Sequence, residues 1–282
     1  MAADCFGNVL IGDQAASRVL VAPARSGRFY AQKMTAGRVY AVAGDGKRAT
    51  AGNGGPALAA GFSPYAVAAD RAGDIVIVDN SGDPRAPGNR ILIVAAHSGT
   101  VYGIAMKAGH IYTVAGDGSG SGRGGPPIAN AVPATRTSMT PFGAAVDAAG
   151  NLVLAADYRV RVVAARAGRF YGITMKAGYI YTVGGPFPGS HAVAIDGHGN
   201  VLVVDAGTIR LVAARSGTFY GQQVTAGHSV VVAGHPHGPA GLGTGGPATR
   251  ARLDTPTAIA VAPDGRLLIA VYGDRRIEAV TP

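Results

Sequence analysis

From His191 to Gly234, short apolar runs alternate with turn residues. Ala192–Ile195, Val201–Val204 and Ile209–Ala213 are divided by Asp-Gly-His-Gly-Asn and Asp-Ala-Gly-Thr, and Ser229–Val232 follows a Gly-bounded insertion. Short runs rich in Val, Ile and Leu between Gly, Asp and Asn predict strands, so this stretch predicts one four-stranded antiparallel sheet. The first turn has a physical reason for its spelling. Asp196 can accept backbone N–H groups just ahead of it, and Gly199 supplies a positive φ that other residues adopt only at a cost.

The same spelling recurs as Asp4-Cys-Phe-Gly7-Asn8, Asp70-Arg-Ala-Gly73-Asp74 and Asp147-Ala-Ala-Gly150-Asn151, and in weakened form as Ala262-Pro-Asp-Gly265-Arg266. Other landmarks keep phase with it. Asp13, Asp79 and Asp205 follow the Gly at one spacing, and then come Arg-led or Thr-led strands at Arg18, Arg90, Arg159, Thr208 and Arg276. Gly-x-Phe/Val-Tyr follows at Gly27–Tyr30, Gly99–Tyr102, Gly168–Tyr171 and Gly217–Tyr220, and each full unit closes on Val-Ala-Gly or Val-Gly-Gly. Self-similarity at a period of roughly 45–75 residues with four strands per unit predicts propeller blades. The expectation is an all-β propeller of about five four-stranded blades in a single domain, residues 1–282, with repeats near 1–63, 64–140, 141–189, 190–255 and 256–282. Closure with six blades is less favoured. The first repeat lacks most of its first strand and the fifth its last, so the seam either closes thinly or belongs to a longer array.

Composition supports an ordered β protein. The 44 glycines and 17 prolines suit a turn-rich fold, and 48% hydrophobic residues exclude a disordered chain. No apolar run approaches the roughly 20 residues that span a bilayer, so membrane insertion is not expected. Cys5 is the only cysteine, which excludes an internal disulfide. The opening residues show no basic-then-apolar leader, so no signal peptide is expected in this chain, and the compartment stays open between cytoplasm and a processed secreted form. Nothing in the sequence sets the oligomeric state. A formal net charge of +9 gives the surface some affinity for anions.

Pro-x-x-Val-Ala-x-Asp, Gly-Asn-Val-Leu-Val-x-Asp, Arg-Ile-x-x-Val and Val-Ala-Gly-Asp-Gly followed by Gly-Gly-Pro-Ala resemble the NHL-repeat β-propellers, in particular the bacterial form with Phe-Tyr-Gly insertions. The resemblance covers nearly the whole chain. It implies a rigid ring whose members include binding scaffolds, RNA binders and the streptogramin lyases. Related lactonase-like and amidating-lyase-like propellers hold a metal on inward carboxylates, whereas the first strands here, such as Ala66-Val-Ala-Ala and Gly143-Ala-Ala-Val, offer none. No cofactor is expected.

Taking the first strand of each blade as innermost, the rim where it starts is the top, and the Asp-x-x-Gly-Asn turns lie at the bottom. Alignment on Asp70, Asp147, Asp196 and Ala262 puts Tyr65, Phe142, His191 and Thr257 at one equivalent position around the top mouth, where ligands of closed repeat structures collect. The competing reading is that they plug the channel. His191 is the titratable member, a candidate general acid or base, and the short loop Gly184–Ser190 beside it predicts an open rim. His235 and His237 lie on the next top loop and join the ligand-binding candidates. With His191 they offer three nitrogens, but no carboxylate or Cys completes a metal pattern, so solvated loop histidines are preferred and no metal is expected. The Gly-Gly-Pro motifs at 54–56, 124–126 and 245–247 lack the Lys-Ser/Thr ending of a phosphate loop and read as turns. At the bottom, Arg28, Lys33, Lys107, Arg169 and Lys176 alternate with Tyr30, Tyr102, Tyr171 and Tyr220, a composition suited to a polyanion such as RNA, or to a solvated face.

Three functions follow. The first is a module binding a small molecule or peptide at the top mouth. The second is a lyase or cyclase with His191 as acid or base and Tyr65 or His235 positioning substrate, although no nucleophile triad is visible. The third is polyanion binding on the bottom face.

Overall fold

A computed structural model of the chain describes residues 1–80, 88–120, 130–235 and 245–282. Its strands form five successive antiparallel sheets, and the all-β, five-blade expectation is met, with 48% of residues in strands. Blade one is Ala2–Ala3, Val9–Asp13, Arg18–Ala22 and Tyr40–Ala43. Blade two is Pro64–Ala69, Ile75–Asp79, Arg90–Val94 and Ile111–Ala115. Blade three is Pro141–Val146, Leu152–Ala156, Arg159–Val163 and Tyr179–Pro186, with Val132–Pro133 added at its outer edge. Blade four is Val193–Ile195, Val201–Asp205, Thr208–Val212 and Ser229–Ala233. Blade five has three strands, Pro256–Val261, Leu267–Val271 and Arg276–Val280. Among the described residues, no helix is long and apolar enough to cross a membrane.

The middle blades explain why their central strands read as unbroken apolar runs. Ile75–Asp79, Leu152–Ala156 and Val201–Asp205 are buried at every position, because a neighbouring blade covers each face. Four interblade cores result. Leu10 and Val21 pack against Ile75 and Ile77, Val78 and Ile93 against Leu152 and Leu154, Val160 and Val162 against Val201 and Val203, and Leu202 and Leu211 against Leu267 and Ile269. Five closed blades would need a fifth core. Among the described residues no core joins blade five to blade one, and Val9, Tyr272 and Ile277 on those two flanks are 42%, 75% and 66% exposed. Among the described residues the junction of the first and fifth sheets thus has no core like those at the other four.

The bottom turns behave as their spelling predicts. Asp147 Oδ1 accepts the N–H groups of Ala149 and Asn151, and Asn151 Nδ2 donates to Asp147 Oδ2 at 2.9 Å. Asp4 and Asp196 repeat the arrangement with Asn8 and Asn200. At the top, Asp79 ends its strand by accepting the Ser63 N–H at 2.8 Å and the Arg90 guanidinium at 2.7 Å, both partners buried. Asp205 likewise accepts the Gly189 N–H.

The Phe-Tyr-Gly insertions are β-hairpins, a detail absent from the strand expectation. Gly27–Phe29 pairs with Gln32–Met34, Gly99–Val101 with Ile104–Met106, Gly168–Phe170 with Ile173–Met175, and Gly217–Phe219 with Gln222–Val224. Both residues of each connection have positive φ, for example Tyr171 at 50° and Gly172 at 76°. That is the type I′ pattern, whose twist matches a hairpin. A tyrosine in this region is strained, and its hydroxyl anchors it. Tyr30 donates to Asp4 Oδ2 at 2.7 Å, Tyr102 to the Gly150 carbonyl at 2.5 Å, Tyr171 to Asp147 Oδ2 at 3.2 Å, and Tyr220 to the Gly265 carbonyl at 3.3 Å. The Tyr102 and Tyr220 bonds reach the next blade, so the hairpins brace neighbouring sheets together. Burial pushes all four phenols up, Tyr220 to about 12, and they remain donors at neutral pH.

Candidate functional site

The inner strands run side by side, blade two beside blade three, three beside four and four beside five. At their top ends the pairing slips. Pro64 pairs Asp79 while Ala66 pairs Val78, leaving Tyr65 as a bulged residue. Pro141 and Gly143 leave Phe142 out in the same way, and Pro256 and Ala258 leave out Thr257. A bulge re-aims the extra side chain, and here it does so at one height in three blades. The proline before each bulged residue has no N–H to lose from the ladder. Pro-Tyr-Ala, Pro-Phe-Gly and Pro-Thr-Ala were thus a legible signal, a proline then a large or polar residue then a small one.

The structure brings Tyr65 and Phe142 together. Their ring centroids lie 6.2 Å apart at 75°, an edge-to-face pair, with Tyr65 49% exposed. Gly143 carries the contact on towards blade four. A Cβ there would stand 2.8 Å from the His191 carbonyl oxygen, so only glycine permits this approach of the two backbones. His191 is half-buried, and its Nδ1 lies 2.7 Å from the Gly189 carbonyl. A carbonyl only accepts, so in the neutral ring Nδ1 carries the hydrogen and Nε2 presents its lone pair.

Thr257 is exposed, with Oγ1 3.5 Å from the Ala270 carbonyl, and it borders an open hollow of about 810 Å³ with Tyr272, Arg275 and Ile277 on blade five. The structure therefore sets Tyr65 against Phe142, brings the Gly143 backbone next to that of His191, and gives Thr257 a hollow on blade five.

His235 is exposed, and its backbone N–H bonds the Ala251 carbonyl. His237 lies outside the described residues, as does the Gly-Gly-Pro at 124–126. Among the described residues no cluster of three or more His, Cys, Asp or Glu is placed to hold a metal. The Gly-Gly-Pro motifs at 54–56 and 245–247 each lead into a single 3₁₀ turn, Ala57–Ala59 and Ala248–Arg250. In blade three that place is taken by Ala131-Val132-Pro133, which leads into Ala134–Arg136.

On the bottom face Arg28, Lys33, Lys107, Arg169 and Lys176 are all exposed, and Arg28 pairs directly across its hairpin with Lys33. Of the interleaved aromatics, Tyr102 and Tyr171 are 4% and 3% exposed and bonded inward, which suits packing of the insertion against the blade, while Tyr30 and Tyr220 are half-buried.

No family model and no curated protein matches the sequence. Solved structures do resemble the fold. Virginiamycin B lyase from Staphylococcus aureus superposes with a TM-score of 0.51 at 12% identity, covering 98% of this chain and 64% of that one. A gluconolactonase-like protein gives a TM-score of 0.50 at 12% identity, covering 97% of this chain and 71% of the other. The chain thus spans less than two thirds of the length of the lyase. At this identity the likeness speaks for a propeller fold alone.

Proposed function

We propose that the chain is a propeller-type module of the NHL-repeat kind that binds a small molecule or peptide at its top mouth. The observation that carries this reading is the repeated bulge. Three blades break their register at the same height, leaving Tyr65 and Thr257 exposed and Phe142 half-buried. Two of these side chains are aromatic rings already in contact, and the His191 backbone lies against Gly143 beside them. An apolar or aromatic group set against Tyr65 and Phe142, with a hydrogen-bond donor directed at His191 Nε2, is the ligand chemistry that fits.

The His191 geometry also favours a second reading. A ring held by Gly189 with Nε2 basic is arranged as a general base, so a lyase-type or cyclase-type reaction would use His191 for proton transfer and Tyr65 to position substrate.

One experiment separates the two. A fragment library is screened by thermal shift, where a hit at 100 times its Kd stabilises by about 2.7 kcal/mol. Loss of the shift in Tyr65→Ala and in His191→Ala, with no product formed from any hit, is the result expected. Hits that bind His191→Ala unchanged and are converted only by the unaltered chain establish the enzyme. Hits that shift both variants fully without turnover place binding elsewhere and refute the mouth.

A further inference from the structure

The residue that follows the second strand has one backbone task in all three bulged blades. The N–H groups of Asn80, Asp157 and Tyr272 donate to the carbonyls of Ser63, Thr140 and Thr255 at 3.0, 3.3 and 3.0 Å. Each acceptor stands immediately before the proline of its bulge, so the bond closes the short loop from which the bulged residue projects.

Asn80 also reaches the next blade. Its side chain is buried, and Nδ2 donates to the Pro141 carbonyl of blade three at 2.8 Å. Pro141 directly precedes Phe142, just as Ser63 and Pro64 precede Tyr65. One residue therefore ties down the two backbones just ahead of both rings. From the other side, Gln14 Nε2 donates to the Asn80 carbonyl at 3.2 Å. Gln14 belongs to the top turn of blade one, where Asp13 accepts the Ala16 N–H and pairs with Arg18. Gln14, Asn80 and Pro141 thus form a relay across three blades.

The acceptors fix the chemistry of the relay. A carbonyl only accepts, so both amides present their nitrogen, and each step needs a donor. Neither Asp nor Glu supplies one at neutral pH. The bond to Pro141 is buried, so water does not replace it once it is broken.

We propose that Asn80 is the positioning residue of the mouth, setting the contact of Tyr65 with Phe142 through the Gln14–Asn80–Pro141 relay and coupling that contact to the top turn of blade one. The bulges create the need for it. A bulged residue is released from the ladder, so pairing within its own sheet no longer fixes where it lies against the next blade. The two rings nevertheless meet edge to face with centroids 6.2 Å apart, and the backbone ahead of each is bonded to Asn80. Asn80 acts through the rings, not on a ligand. Its importance for binding rests on the mouth being the binding site, but the ring geometry itself is measured without a ligand.

The experiment compares Asn80→Asp, Asn80→Ala and Gln14→Ala in the full chain. Asn80→Asp keeps the side-chain shape and sets a carboxylate oxygen against the Pro141 carbonyl in place of the donor. The readout is the NMR shift of the Tyr65 ring protons, assigned with Tyr65→Phe and referred to Phe142→Leu, in which the neighbouring ring is gone. The displacement caused by Phe142 should fall by about half or more in both Asn80 variants, and by less in Gln14→Ala. A lowered melting temperature with the Tyr65 shift unchanged gives Asn80 a structural part only and overturns the proposal. If the Asn80 variants do not fold, Gln14→Ala at the half-buried end of the relay decides, and an unchanged Tyr65 shift there overturns it as well. Rings that respond to Asn80 in a chain whose mouth binds no fragment leave the relay standing and refute the mouth as a binding site. Fragments that bind beside rings indifferent to Asn80 do the reverse.

Discussion

Asp74 breaks a pattern that three other blades keep. The bottom turn of blade two has the same backbone bonds as its counterparts. Asp74 N–H donates to Asp70 Oδ1 at 2.8 Å, and Asp74 Oδ1 takes the Ala96 N–H at 2.7 Å, as Asn151 does with Asp147 and Ala165. In the other blades the remaining atom of this side chain is an amide nitrogen that donates to the first Asp at 2.8–2.9 Å. Asp74 puts a carboxylate oxygen there, facing Asp70. Burial, and behind it the charge of Asp70, raises the Asp74 pKa, and burial raises that of Asp70.

Replacing Asp74 by Asn should therefore stabilise the protein. The gain is one hydrogen bond to a charged acceptor, about 1.5–3 kcal/mol at neutral pH, with relief of like-charge repulsion in addition. For a chain of this size that raises Tm by on the order of 5 °C. The pH dependence has a definite sign. With folded pKa values above the unfolded ones, the native state binds more protons, so the stability from Asp74 is fully present below the unfolded pKa and is lost as pH rises through the raised folded pKa. Protonated Asp74 also regains a donor and can imitate Asn. The advantage of Asp74→Asn should accordingly be largest at pH 7, shrink as pH falls through the raised folded pKa, and level off below the unfolded value near about 4. Urea titrations of both proteins across that range measure it. An unchanged or lowered midpoint at pH 7, or a difference constant with pH, refutes the reasoning.

Two further outcomes follow from the same geometry. Asp79→Ala strands the buried Arg90 guanidinium and the Ser63 N–H, and should cost about 3–5 kcal/mol in chemical denaturation, whereas Asp264→Ala, which removes an exposed pair, should leave the midpoint unchanged. We also expect polyanion affinity on the bottom face to be ionic without base stacking. Heparin retention should fall steeply between about 50 and 200 mM salt and on Arg28→Glu combined with Arg169→Glu, and retention unaffected by those substitutions would place the basic site elsewhere.

The sheets were legible because their signals are local. Alternating apolar runs and the Asp-to-Asn turn spelling need only a few residues each, and the structure keeps both. The pairing of Tyr65 with Phe142 was legible at the level of position, since alignment on the turn aspartates gave both residues one equivalent place. What was not legible depends on partners distant in sequence. The bulges are defined only against a second strand, although the proline before each one hinted at them. The hairpin turns escaped notice because a tyrosine fills a position usually spelled Asn or Gly, and that choice is stabilised by a hydroxyl bond to an Asp or carbonyl in another turn. Asn53 and Asn130 likewise take the Thr113 and Thr182 N–H groups only because the incoming connection lies against the outer strand.

The account rests on bulges from separate blades converging on one mouth, and a double-mutant cycle of Tyr65→Ala and Phe142→Ala tests it without any ligand. Edge-to-face rings in contact should couple by about 0.5–1.5 kcal/mol in unfolding free energy. Additivity of the two substitutions within about 0.3 kcal/mol would contradict the convergence and remove the basis for the proposed site.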